Sequence, residues 1–129
     1  MSKTCTTLLA ALAVAGLLLA APALAAKGDV RVATSDANPG GEAYLLHTKS
    51  GLVLKACDIQ RDGHSAWAYA SYGKKYENTT GDVNGSGNSC ESRRISATQG
   101  RTVYVRVCLA DRDGDNVLKH CSAWKKGRA

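Results

Sequence analysis

The stretch "VYVRVCLADRDGDNVLKHC", Val103 to Cys121, carries the signals that define the fold. Its first half has valine or leucine at every second position from 103 to 109. A period of two is typical of a β-strand with one buried face. Asp113-Gly114-Asp115 follows, and these residue types tolerate the left-handed backbone of a tight turn. The stretch therefore predicts an antiparallel hairpin, in which "NVLKHCSAW" returns beside the first strand.

The cysteines at the two ends of this hairpin suit a cross-strand disulfide. A two-residue turn at Gly114-Asp115 would put Cys108 opposite Cys121. A turn at Asp113-Gly114 would shift the pairing by two residues and keep both sulfur atoms on one side. Either register is compatible with the short Cα separation that a disulfide requires.

Four cysteines follow the N-terminal region, and an even number in a small exported domain predicts two disulfides. Three pairings are formally allowed, and we favour Cys57–Cys90 with Cys108–Cys121. A structural zinc site is the other use of four cysteines, but the sequence contains no Cys-x-x-Cys and no His-x3-His spacing.

Alternation also marks the other apolar segments, including "DVRVATS", "EAYLLHT" and "GLVLKACDIQ", and turn-forming residues separate them. We expect a short helical turn at Arg93–Thr98 and a flexible loop at Gly81–Ser89. The fold class predicted is a small antiparallel all-β domain, either a sandwich or a partly open barrel, held by two disulfides.

Three aspartates at the hairpin tip raise the question of a calcium site. In an EF-hand loop beginning at Asp111, glycine is required at the sixth position and glutamate at the twelfth. Those positions hold Asn116 and Ser122. The aspartates are therefore assigned to turn chemistry, and no metal or cofactor is predicted.

The N-terminal residues have the pattern of a signal peptide. Lys3 precedes an apolar run from Leu8 to Leu19, and Ala23-Leu24-Ala25 fits the small-x-small cleavage rule. The run is short for a membrane span. We predict a helical signal peptide over residues 1–25, cleavage before Ala26, and one secreted extracellular domain over residues 26–129 with no membrane span.

The predicted domain is basic. Loss of residues 1–25 removes Lys3 from the 17 basic residues and none of the 11 acidic ones, which leaves a net charge of +5. Local clusters occur at Lys74-Lys75, Arg93-Arg94 and Lys125–Arg128. They could contact an anionic wall polymer or a carbohydrate outside the cell, or simply form a solvated surface.

Aromatic residues follow a second turn signal, Asp62-Gly63. Trp67 and Tyr69 share one face of the next predicted strand, and alanines at positions 66, 68 and 70 share the other. Because the chain contains no Phe, we expect these two rings to fill the core. The alternative is a ligand platform on which a sugar ring stacks.

The sequence contains neither Gly-x-Ser-x-Gly nor His-Glu-x-x-His, and oxidised cysteines would leave no thiolate nucleophile. No catalytic residue is predicted. The leading hypothesis is a monomeric, non-enzymatic secreted protein that binds an extracellular partner or serves structurally. The alternative hypothesis is an inhibitor of an extracellular hydrolase, which would present Asp111–Asn116 or Asp62–Ser65 as a rigid loop.

Four segments also resemble those of small exported cysteine-containing proteins of actinomycetes: "ACDIQRDGHSAWAY", "NSCESR", "VYVRVCLADRDGDN" and "HCSAW". The resemblance covers roughly Leu52 to Trp124. It implies export and a disulfide-bonded β domain, and it implies no activity and no catalytic residues.

Overall fold

The computed structural model describes residues 28–73, 77–111 and 117–129. Within these residues the chain forms nine antiparallel strands and no helix. The strands are β1 (Val30–Ala33), β2 (Gly41–Thr48), β3 (Gly51–Asp58), β4 (His64–Ser71), β5 (Glu77–Asp82), β6 (Glu91–Ile95), β7 (Thr102–Asp111), β8 (Leu118–Lys119) and β9 (Lys125–Arg128).

The strands form two sheets packed face to face. Sheet A has the order β1-β2-β3-β6, and sheet B has the order β5-β4-β7, with both β8 and β9 paired to the outer edge of β7. The chain crosses between the sheets after β3, after β5 and after β6, so that β6 lies beside β3 and β7 lies beside β4. The predicted all-β antiparallel fold is confirmed, and of the two architectures considered it is the sandwich.

The core consists of small and aliphatic side chains contributed by alternate positions of both sheets. Val103, Val105, Val107 and Leu109 face inward from β7, as the sequence predicted. Opposite them, Leu45 and the other buried residues of sheet A complete the cluster. Tyr72 is the single ring in it among the described residues, and the buried set is Val30, Val32, Ala43, Leu45, Leu52, Leu54, Ala56, Ala66, Ala68, Ala70, Tyr72, Ile95, Val103, Val105, Val107 and Leu109.

Both predicted disulfides are present. Cys57, near the end of β3, is bonded to Cys90, which immediately precedes β6. Cys108 of β7 is bonded to Cys121, two positions beyond β8. The first bond fixes an edge of sheet A and the second fixes the C-terminal segment on sheet B.

The C-terminal segment pairs antiparallel with β7, as expected, but in neither predicted register. β8 places Leu109 opposite Lys119, whereas β9 places Val105 opposite Lys125. Two more residues therefore lie on the C-terminal segment than on β7 between these pairs. His120 accommodates part of the excess with φ 49°, a left-handed backbone conformation.

Ser122 holds the middle of this irregular segment. Its backbone N–H donates to the carbonyl of Val107 at 2.8 Å, and its hydroxyl accepts from the N–H of Val107 at 3.1 Å.

The turn predicted between Asp113 and Asp115 lies outside the described residues, as do residues 1–27 and Lys74-Lys75.

The helical turn expected at Arg93–Thr98 is wrong, because residues 93 to 95 belong to strand β6. Pairing with β3 supplies the backbone hydrogen bonds of this segment, and the neighbouring Cys57–Cys90 bond holds it at that edge. Long-range pairing thus overrides the local preference of the sequence.

The two seams between the sheets are each bridged by a basic side chain. Lys125 of β9 donates from Nζ to the backbone carbonyl of Arg31 in β1 at 3.3 Å. Arg93 of β6 donates from Nη1 to the backbone carbonyl of Thr79 in β5 at 3.2 Å. In each case the bond joins an edge strand of one sheet to an edge strand of the other.

Across residues 28–73, 77–111 and 117–129, no helix has the length and apolar character needed to cross a bilayer.

Candidate functional site

Trp67 and Tyr69 lie on the outer side of sheet B, so the expectation that they fill the core is wrong. Both rings are half-buried, while the alternating alanines Ala66, Ala68 and Ala70 are fully buried against sheet A. The prediction grouped the residues that share each face of β4 correctly. It was wrong about which of the two faces packs against the core.

Strand pairing arranges the outward side chains of sheet B in rows across the strands. One row runs from Thr79 through Tyr69 to Arg106, and the register of β9 places Trp124 next to Arg106. A second row runs from Ser71 to Tyr104 and then to Lys126. We call the outer side of sheet B that carries Trp67, Tyr69, Tyr104, Arg106 and Trp124 the aromatic face.

Arg106 is the centre of the aromatic face. Its guanidinium carbon lies 5.0 Å from the centre of the Tyr69 ring and 4.6 Å from the centre of the Trp124 ring. Both distances are within the roughly 6 Å range of a cation–π contact. The guanidinium is therefore held between two rings that come from different parts of the chain.

Trp67 extends the aromatic face toward β5 because its pairing partner there is Gly81. A Cβ atom added at Gly81 would lie 2.7 Å from atoms of the indole ring, so the ring lies directly over the glycine backbone. On its other side Trp67 pairs with Cys108, which is fully buried and bonded to Cys121.

The rings are accessible to a ligand. Tyr104 is 45% exposed and Trp124 is 41% exposed. A depression of about 390 Å³ is lined by Ser71, Tyr104 and Trp124. A second depression, of about 190 Å³, is lined by Trp67, Tyr69, Ala110 and Leu118. The two depressions lie on either side of the row that contains Arg106.

The electrostatic environment of Tyr69 reflects this partial burial. Burial raises the pKa of the Tyr69 phenol above its ordinary value, and the charge of Glu77 acts in the same direction, while Arg106 opposes both. The phenol therefore remains neutral throughout the physiological pH range.

The basic clusters of the sequence do not form one patch. Arg93 and Arg94 lie on β6 at an edge of sheet A, whereas Lys125–Arg128 form β9 in sheet B. Of these residues, Lys126 is the one that pairs with Tyr104 of the aromatic face.

A second polar cluster surrounds His64 at one end of sheet B. Its Nδ1 lies 3.1 Å from Asp62 and its Nε2 lies 2.9 Å from Asp111. A hydrogen bond from Lys119 holds the pKa of Asp111 below its ordinary value, with help from the charges of Lys119 and His64. Ser65, the neighbour of His64 in sequence, is buried on the opposite side of the strand, so the two do not form a nucleophile–base pair.

Two questions from the sequence concern this end of the molecule: whether the aspartates bind calcium, and whether a rigid loop here inhibits a hydrolase. Asp62 accepts a hydrogen bond from the backbone N–H of His64 at 2.9 Å, which accounts for its place in the turn. The described residues contain no group of three or more His, Cys, Asp or Glu side chains placed to hold a metal ion. Most of the loop Asp111–Asn116 lies outside them, and the inhibitor hypothesis stays a prediction.

The outer side of sheet A carries a separate, self-paired cluster. Arg31 and the Tyr44 hydroxyl both donate hydrogen bonds to the buried carboxylate of Glu42. Burial alone would raise the pKa of Glu42, but these two hydrogen bonds and the charge of Arg31 outweigh it, and the net pKa is lowered. Lys55 lies 5.8 Å from the centre of the Tyr44 ring on its other side.

A larger cavity, of about 760 Å³, lies near the seam between β9 and β1 and includes Asp29, His47 and Lys126 in its wall. Its wall also includes Gly28 and Gly127. We take the aromatic face as the candidate site because its composition, unlike that of the cavity, is unusual for this chain.

Sequence reasoning identified Trp67 and Tyr69 as a candidate platform and missed Tyr104, Arg106 and Trp124. The alternation of β7 did indicate that Tyr104 and Arg106 point away from the core. Trp124 had no such signal, since its position depends on the extra residues near His120.

No protein family matches the chain, and neither a curated protein nor a solved structure shows significant similarity to it. The fold and the site define it as a disulfide-bonded β-sandwich with an aromatic outer face.

Proposed function

We propose that this protein is a secreted, non-enzymatic binding module that holds an extracellular polysaccharide on its aromatic face. The observation that carries the proposal is the distribution of rings. Of the two Trp and five Tyr in the chain, both Trp and two Tyr are on this one outer surface, and the core consists mainly of Ala, Val and Leu. The chain has no Phe, and yet its largest apolar side chains lie outside the core. Core packing therefore does not account for these rings.

Polysaccharide is the partner that suits such a surface. Sugar rings present flat arrays of C–H groups, which pack against aromatic rings, and hydroxyl groups, which hydrogen-bond to polar side chains at the rim. A sheet provides a level support with strands about 4.8 Å apart, so rings in successive rows can contact successive units of a polymer. Ser71, Lys126 and Arg106 supply polar groups beside the rings.

Secretion is proposed from the signal-peptide pattern of residues 1–25. The two disulfides are compatible with an oxidising, extracellular environment. We further propose that the secreted protein is a monomer whose basic net charge draws it toward anionic wall material.

Affinity electrophoresis of the oxidised protein in gels containing soluble polysaccharides tests the proposal. We expect retardation in at least one polysaccharide gel and loss of retardation in Trp124→Ala. Tyr44→Phe, which alters an aromatic side chain on the opposite sheet, is the matched control and should be retarded normally. If no neutral, acidic or wall-derived polysaccharide retards the protein, the proposed function is wrong.

A further inference from the structure

Arg106 is a partly buried cation at the centre of the aromatic face. Within the described residues no carboxylate pairs with it, and its Nε is buried without a hydrogen-bond partner. By contrast, Arg31 is paired with the carboxylate of Glu42, and Lys119 is paired with that of Asp111. A partly desolvated cation that lacks a counter-ion is costly, and an anionic ligand would relieve that cost.

The acidic side chain that shares the aromatic face does not fill this role. Glu77 pairs with Ser71 at the start of β5. β5 is separated from β7 by β4, which places the two strands about 10 Å apart. The charge of Glu77 acts on Tyr69, and no ion pair joins Glu77 to Arg106 in the described part of the chain.

The geometry of the guanidinium suits a carboxylate as the anion. Tyr69 and Trp124 both lie within cation–π distance of the guanidinium. A guanidinium presents its N–H donors in its own plane, as a fork that matches the two oxygens of a carboxylate. Lysine in the same place would offer a point charge without this planar match.

The surroundings of Arg106 provide room for sugar units. The depression beside Tyr104 and Trp124 and the depression beside Trp67 and Leu118 flank the guanidinium on its two sides. A polymer lying across both depressions would carry its substituents over Arg106. The net charge of the predicted domain adds a long-range attraction for a polyanion.

We propose that the polysaccharide held by the aromatic face carries carboxylates on its sugar rings, and that Arg106 is the residue that recognises them. This inference rests on the proposed function and names the substrate class of the same site. The sugar ring stacks on Trp124 or Tyr104, and its carboxylate accepts hydrogen bonds from the guanidinium.

The test compares polygalacturonate with its fully methyl-esterified form, which has the same backbone and no carboxylate charge. Affinities are measured by isothermal titration at two salt concentrations. We expect the protein to bind polygalacturonate about tenfold or more tightly than the ester, the size expected for a charge-assisted bidentate contact. Binding should weaken as salt increases.

Variants separate Arg106 from charge in general. Arg106→Gln should weaken binding to polygalacturonate by about tenfold or more, and Arg106→Lys should recover only part of the loss. Arg94→Gln makes the same change in net charge at an exposed position on the other sheet and should bind normally. The Lys variant keeps the test decisive if Arg106→Gln does not fold.

Three results would overturn the inference. Equal binding of the acid and the ester, abolished by Trp124→Ala, would leave the proposed function standing and remove the carboxylate. Equal losses in Arg106→Gln and Arg94→Gln, with dextran sulfate bound as tightly as polygalacturonate, would indicate unspecific attraction of polyanions. Failure to bind either of these polymers or any neutral polysaccharide would remove the proposed function itself.

Discussion

The guanidinium of Arg106 lies 4.6 Å from the ring centre of Trp124 because the C-terminal segment gains two residues relative to β7. If the register of β8 continued without interruption, Trp124 would lie opposite Tyr104. The two extra residues move it along the outer side to a position next to Arg106. The contact between Arg106 and Trp124 therefore depends on a departure from regular strand pairing.

Trp124→Ala should separate binding from stability. Because Trp124 is 41% exposed, its removal should cost about 1 kcal/mol or less, mainly through the lost cation–π contact. Trp67→Ala should cost more, since that ring is half-buried over Gly81. Thermal and urea unfolding measure both. A Trp124→Ala protein that fails to fold would make the residue structural and weaken the proposed function.

Gly81→Ala should displace the Trp67 ring. The new methyl group would lie 2.7 Å from ring atoms, well inside van der Waals contact. We expect a loss of about 1–3 kcal/mol, as for other overpacked sites, and a shift in tryptophan fluorescence. In a Trp67→Ala background the same substitution should be neutral or stabilising, because alanine suits a strand better than glycine. A destabilisation that persists in that background would point to a cause other than the ring.

Acid should weaken the fold partly through Glu42. Its pKa is lower in the folded protein than in the unfolded chain, so the ionised carboxylate stabilises the fold above the ordinary glutamate value of about 4.3. This contribution is lost as the pH falls from that value through the lower folded pKa. Glu42→Gln should reduce stability at pH 7 and flatten the decline below about pH 4.

The matched control for the acid experiment is Glu91→Gln, which changes an exposed carboxylate on β6. Urea midpoints measured from pH 7 to pH 2 give both curves. If Glu42→Gln and the parent lose stability in parallel across this range, the carboxylate is not the titrating group responsible.

The backbone at His120 should favour glycine. A non-glycine residue in the left-handed region costs about 1–2 kcal/mol, so His120→Gly should leave stability unchanged or raise it by up to about that amount. His120→Val should be clearly destabilising, because a branched Cβ is poorly tolerated there. His120→Asn, which accepts this conformation, is the control. Equal melting temperatures for the Gly and Val variants would contradict the assignment.

Reduction should unfold the domain or lower its melting temperature sharply. The crosslinks close loops with sequence separations of 33 and 13, and each contributes roughly 3–4 kcal/mol in the chain-entropy account. Total stabilities of domains are about 5–15 kcal/mol, so the two bonds are a large share. A fully reduced protein that melts within a few degrees of the oxidised one would show that the core suffices alone.

The fold was predictable from the sequence where one periodic signal dominated. The valine and leucine run of β7 determined both its strand character and its inward face. The Cys108–Cys121 disulfide was supported by the spacing of its cysteines around the hairpin, whereas Cys57–Cys90 was favoured without such a geometric argument. The edge strand at Arg93 was missed because an exposed, charged strand has no apolar alternation, and its pairing with β3 depends on distant residues.

The site was predictable only in part. Alternation in β4 separates Trp67 and Tyr69 from the alanines, yet both sets are apolar, and a period of two does not say which set faces inward. The choice depends on long-range packing, in which the alanines of β4 join Leu45 and Leu54 of sheet A in one buried cluster. Trp124 could not be placed, because a shift of one residue in register moves a side chain to the other face.

The two basic bridges across the seams have a consequence for solubility. Lys125 and Arg93 each bond to a backbone carbonyl of a neighbouring edge strand, at residues 31 and 79. An acceptor engaged in this way is not available to an incoming strand, and a lysine or arginine at an edge repels a second copy of the same edge. Both features make these two edges poorer templates for an added strand, and hence for fibril growth.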